Sequence, residues 1–152
     1  MAEAVVNHDG KGRFQAYSAA VEPDAEPEPL TIDVLRHAGY TVDGLSPKHW
    51  SEFAGDNAAI LDFVFTLSDS AAGEDMPEWP GGPVTAHWSY ADPVLVDGES
   101  WEKRQAYGRL LSGLERHLRT FMDFPMTTLD RMTLQHKVDE LGRTTGKAAA
   151  ET

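Results

Sequence analysis

Six histidines stand at His8, His37, His49, His87, His117 and His136. A catalytic or structural metal held on a helix needs two of them three or four residues apart on one face, as in H-E-x-x-H. No pair has that spacing, so they read as surface or partly buried histidines and no metal is expected. His87-Trp88, in a stretch of β-formers, reads as packing rather than catalysis. Four acids, Glu22, Asp24, Glu26 and Glu28, bring oxygens that suit calcium, but Pro23, Pro27 and Pro29 interleave with them. Such a segment fits no EF-hand loop and reads as a solvated connection. Trp79, Trp88 and Trp101 could line a groove, yet core and rim packing is the default for tryptophan. No Gly-x-Ser-x-Gly, Walker or dinucleotide fingerprint is present, and no cofactor is expected. Asp92, ahead of Pro93, reads locally as the start of a turn.

The absent residue type decides more than those present. The chain has no cysteine. That excludes a disulfide framework, a thiolate-held zinc or iron–sulfur centre, and any thiol nucleophile within these 152 residues.

The elements that would position such residues alternate between strand and helix. Residues 1–7 read as the end of a helix with no capping residue before it, followed by a Gly10/Gly12 loop. Arg13 to Ala19 alternates and predicts a short strand. Val21 to Pro29 is the acidic, proline-rich loop. Leu30 to Ala38 has helical spacing, with Gly39 as its stop, and Ser46-Pro47 opens a short helix through Trp50 and Phe53. Ile60 to Leu67 is a near-continuous run of β-formers, which suits a strand of a parallel sheet buried on both faces. Val84 to Tyr90 is a further strand. Ser100 to Met122 is the clearest helix, with apolar residues at Tyr107, Leu110, Leu111, Leu114, Leu118, Phe121 and Met122. Thr128 to Leu141 is another, capped by Thr127 or Thr128 and ended by Gly142. The expectation is an α/β domain over residues 1–142 and a disordered tail over 143–152.

Bulk properties agree with one ordinary domain. Of the 152 residues, 41% are hydrophobic, enough for a core, and 25% are charged. The net charge of −12, without a basic stripe, opposes nucleic-acid binding and repels small oxyanions unless a local pocket overrides it. No apolar run reaches the roughly 18 residues of a membrane span, and the first residues lack a secretory leader. A cytoplasmic protein is expected.

Four segments in order then resemble the low-molecular-weight protein tyrosine phosphatase and arsenate reductase superfamily. They are Met1-Ala2-Glu3-Ala4; Tyr17-Ser18-Ala19 with Pro23; Asp62 to Leu67 with Asp69, Ala71-Ala72-Gly73-Glu74 and Trp79-Pro80; and His87-Trp88 with Asp92-Pro93. The helix from Thr128 onward is similar to an extension in bacterial members of the arsenate reductase type. The resemblance implies a three-layer α/β fold around a small parallel sheet, the phosphotyrosine phosphatase I type, with an extra C-terminal helix. It implies catalysis by a Cys-x5-Arg loop, whose thiolate attacks phosphorus or arsenic while loop amides and the arginine hold the oxyanion. An Asp-Pro aspartate then protonates the leaving oxygen. On this chain only Asp92 carries over, as a would-be or vestigial general acid.

The resemblance begins at Met1, past where that arginine would stand, so the chain is expected to lack the first strand, the cysteine and the loop. Ser68 and Met76 occupy the positions aligned with the second and third cysteines of thioredoxin-coupled arsenate reductases, and neither can relay a disulfide. The family's glycine after Ser-Ala is Ala20 here. In the family's sheet the first strand lies between the second and third. Without it, Phe14–Ala19 and Phe63–Leu67 are expected to pair directly, to borrow a strand from another copy as a homo-oligomer, or to leave a marginal fold. The function expected is therefore a catalytically inactive relative. The alternative is an enzyme whose true start lies upstream, acting on phosphotyrosine, a phosphoprotein or arsenate, the last in arsenical resistance. A third expectation is a decayed remnant that hardly folds.

Overall fold

The computed structural model describes residues 1–150, and the side chains of all of these but Ser70 and 146–150. The chain divides into two compact units, each drawn from two stretches: Met1–Lys48 with Asp92–Met122, and His49–Ala91 with Asp123–Thr152.

In the first unit, helix α1 is Ala2–Asp9 and helix α2 is Pro29–His37. Both pack against a 23-residue helix, Ser100–Met122, which the apolar spacing predicts to the residue. Its buried line of Tyr107, Leu111, Leu114, Leu118, Phe121 and Met122 recurs every three or four residues, so one stripe faces inward. Val5 of α1 and Leu35 of α2 are wholly buried. The start of α2 is fixed by Glu28, whose Oε2 accepts from the amides of Leu30 (2.7 Å) and Thr31 (3.3 Å), with Pro29 at the first helical position. Gly39 ends it at φ +90°, as its position predicts.

Arg13 to Ala19 is not a strand. The segment is extended, but its partner is one side chain. The Asn7 amide donates to the Ala16 carbonyl (3.1 Å) and accepts from the Ala16 amide (2.7 Å), taking the place of a neighbouring strand. Phe14 meets Phe121 with ring centroids 5.8 Å apart, so the alternation that reads as a strand reflects one anchored aromatic. Ala20 is not left-handed; Lys11, at φ +48°, is the one non-glycine residue with positive φ among the described residues.

In the second unit, strands β1 (Phe63–Thr66) and β2 (Val84–His87) pair in parallel, with Phe63 opposite Val84 and Thr66 opposite His87. Among the described residues the sheet has these two strands. Direct pairing of Phe14–Ala19 with Phe63–Leu67 is therefore not how the sheet is built. β2 alternates buried and exposed residues, whereas every residue of β1 is half-buried rather than enclosed on both faces. A short helix, Asp69–Ala72, follows β1.

The last helix runs Arg131–Ala150 and covers β2. Its side chains serve backbone groups beside the strand. Arg131 donates to the carbonyls of Gly82 (2.5 Å) and Pro83 (3.2 Å), and Gln135 to that of Thr85 (2.7 Å). Trp88, wholly buried, donates its indole N–H to the Val138 carbonyl at 2.9 Å.

Both expected ends of this helix differ from the structure. Asp130 caps it, accepting from the Thr133 amide at 2.7 Å, while the Thr128 hydroxyl closes a turn on Pro125. Gly142 does not stop it. A Cβ there would lie 2.7 Å from the His87 carbonyl oxygen and 2.9 Å from the Trp88 ring, so the glycine marks close approach to β2. The helix thus continues into the segment expected to be a tail, and 143–150 are helical; 151 and 152 lie outside the described residues.

Candidate functional site

Asp92 opens a short 3-10 helix, Pro93–Leu95. Proline at the first position presets φ, and the aspartate caps the turn, with Oδ1 accepting from the Val94 amide at 3.0 Å. The local reading of Asp-Pro as a turn start is thus realised. The carboxylate is nevertheless exposed, while Pro93 is buried and fixes the backbone beneath it. The 3-10 turn lies against the long helix Ser100–Met122. On that helix the Tyr107 phenol is pushed up to about 12 by burial, by the charges of Glu28 and Asp92, and by its hydrogen bond to Glu28. Asp92 therefore sits in a negative neighbourhood, on a rigid support, with its oxygens open to water. A carboxyl so placed can pass a proton to or from a molecule that reaches it.

The positions compared with relay cysteines do other work. The Ser68 hydroxyl accepts from the Ala71 amide (3.2 Å) and so caps the short helix after β1. Met76 is at the surface.

Of the histidines, His117 is buried and its Nδ1–H donates to the Gly113 carbonyl at 2.8 Å. Burial lowers its pKa. His8 meets Asp9, and His49 caps Ser51. Among the described residues no three His, Asp or Glu side chains are grouped to hold a metal.

His87-Trp88 divides in a way the sequence does not reveal. Trp88 packs, as its expected role requires, with its ring 4.4 Å from that of Phe65. His87 points to the exposed face of β2 and is hydrogen-bonded through both ring nitrogens, to Thr66 (2.7 Å) and Asp69 (2.9 Å). Ser89 donates to the same Asp69 oxygen at 2.9 Å. The available signal was positional: two parallel strands must end at one edge, and polar residues there converge.

A model of the low molecular weight phosphotyrosine protein phosphatase family matches residues 1–136. The chain belongs to that family. Among curated proteins none matches it. The α/β organisation around a small parallel sheet accords with this phosphatase family, and Asp92-Pro93 lies within the matched span. No helix among the described residues is long and apolar enough to cross a membrane.

Proposed function

We propose that this chain is a low-molecular-weight-phosphatase-like domain that, by itself, performs neither phosphoester hydrolysis nor arsenate reduction by a thiol route. The observation that carries the reading is the absence of cysteine from all 152 residues. The family's reaction needs a thiolate seated among amide donors. Asp92 is the residue that would serve as general acid, but a general acid contributes roughly 10²–10⁴-fold. Phosphate monoester hydrolysis requires accelerations of up to about 10²¹-fold. The gap is too wide for one carboxyl. A binding or regulatory role in the cytoplasm is the function left to such a domain.

The purified 152-residue chain should release no p-nitrophenol from p-nitrophenyl phosphate above the buffer rate. It should reduce no arsenate with thioredoxin or glutathione supplied. Turnover at enzymatic rates in either assay overturns the proposal.

The second reading is an active phosphatase or reductase whose Cys-x5-Arg loop is encoded outside these residues. The exposure of Asp92 above a buried proline favours it, since a proton donor must reach substrate. In-frame coding sequence upstream of Met1 containing Cys-x5-Arg would establish this reading, and a stop codon there would remove it. With Ser68 and Met76 as they stand, such an enzyme would be a phosphatase, or a reductase using an external thiol.

A further inference from the structure

Thr66 ends β1, His87 ends β2, and the two are register partners. Partners in a parallel pair present their side chains on the same face of the sheet. Thr66 Oγ1 lies 2.7 Å from His87 Nδ1, and His87 Nε2 lies 2.9 Å from Asp69 Oδ1. Asp69 stands at the start of the short helix that immediately follows β1, so chain connectivity delivers it to the same edge. A carboxylate can only accept, which places the ring proton of neutral His87 on Nε2 and leaves the Nδ1 lone pair facing the Thr66 hydroxyl. Hydrogen bonds from His87 and then Ser89 hold the Asp69 carboxyl below the ordinary carboxylate range, so it remains an acceptor. Ser89 spends its own proton on Asp69, and Thr66 is the hydroxyl that faces the base.

A hydroxyl, an imidazole and a carboxylate joined in that order form the arrangement that activates an alcohol for acyl transfer. We propose that Thr66 is a nucleophile towards activated esters, with His87 as its general base and Asp69 as the positioning residue. In the step, Thr66 Oγ1 bonds to the acyl carbon while His87 Nδ1 takes the hydroxyl proton. The bond from acyl carbon to the leaving oxygen breaks, and the imidazolium returns its proton to that oxygen. The product is an acyl ester on Thr66, which water cleaves by the same proton transfers in reverse. Asp69 is largely exposed and Thr66 half-buried, so a small ester can approach from solvent. This chemistry involves neither a thiol nor Asp92, and its outcome is separate from that of the phosphatase reading.

The probe is p-nitrophenyl acetate on the full 152-residue chain, with release of p-nitrophenol followed optically and the acetyl group located by tandem mass spectrometry. The acetyl group should be found on Thr66. Thr66→Ala should abolish that label, and Thr66→Ser, which keeps the hydroxyl and relieves crowding at the β-carbon, should label at least as fast. His87→Gln should slow labelling by roughly 10²-fold or more. Asp69→Asn, at an exposed position, should slow it less and should also change the nitrogen NMR signature of the imidazole from the Nε2–H tautomer to a mixture. Acetyl groups confined to lysines or to the histidine ring, or a Thr66→Ser chain with native circular dichroism that takes no label at position 66, would overturn the proposal. Equal rates in native chain and His87→Gln would do the same.

Discussion

Single side chains in the first unit set its response to acid. His117 is buried with its Nδ1–H committed to Gly113, and burial lowers its pKa from the ordinary 6.5. A depressed histidine binds its proton more weakly folded than unfolded. Its stabilising contribution is therefore complete above pH 6.5 and declines as pH falls from there towards its folded value. Asp9 adds a second window. Burial pushes its carboxyl up, but hydrogen bonds from His8 and Arg119, with the Arg119 charge, outweigh this and hold it below 3.8. Its contribution is present above that pH and is lost as pH falls through the folded value. Urea melts at a series of pH values should show stability falling in two stages, the first below about pH 6.5 and the second below about pH 4. His117→Gln should remove the first stage and leave the second. A single stage in the native chain would show that His117 binds its proton equally well in the folded and unfolded chain. Little of this was legible beforehand, since a lone histidine within an apolar stripe carries no sign of which way its ring turns. Asp92 was legible, because Asp followed by Pro fixes both cap and turn.

Elements with strong periodicity were readable, and those shaped by their neighbours were not. The helix Ser100–Met122 follows directly from its apolar spacing. Arg13–Ala19 misled because alternation signals extended backbone without naming its partner, and the partner is the Asn7 amide. Gly142 misled for a related reason. Glycine near a helix end usually stops it, but this one sits where β2 comes close. A glycine in an exposed helix interior and a glycine at a close contact predict opposite signs on substitution. In an exposed helix interior, Gly→Ala stabilises by about 1 kcal/mol. At Gly142 the new methyl would meet the His87 carbonyl at 2.7 Å, and displacing a packed strand costs about 1–3 kcal/mol. Gly142→Ala should therefore lower the urea midpoint, whereas Gly108→Ala, where a Cβ meets nothing within 4 Å, should not. A higher midpoint for Gly142→Ala would mean that the helix and β2 are less closely packed than described.

At the scale of the whole chain, one unit is helical with an apolar core, and the other has a sheet of two strands among the described residues. A two-stranded sheet is marginal without cover, and the final helix covers β2. β1, half-buried along its length, has β2 as its strand partner among the described residues. Strand edges of this kind favour association, and we propose that copies of the chain pair through β1. Size-exclusion chromatography over a range of concentrations should show a concentration-dependent dimer. A monomer at every concentration, with a sharp thermal transition, would exclude both association and a marginal fold. The fold class was legible because strand and helix patterns alternate along the chain. The division into two units was not, since each is assembled from stretches far apart in sequence.

The bond from the Trp88 indole to the Val138 carbonyl joins strand end to helix backbone in a place water does not reach. That makes Trp88 an intrinsic optical gauge of whether the final helix is seated. While it is, the indole emits from an apolar cage, at the short-wavelength end of its range. When the helix lifts, emission from Trp88 moves to the red, whereas Trp101 is already in solvent and stays put. Trp50 and Trp79 are half-buried in the same unit, so replacing both with phenylalanine leaves Trp88 as the reporter of helix seating without any added label.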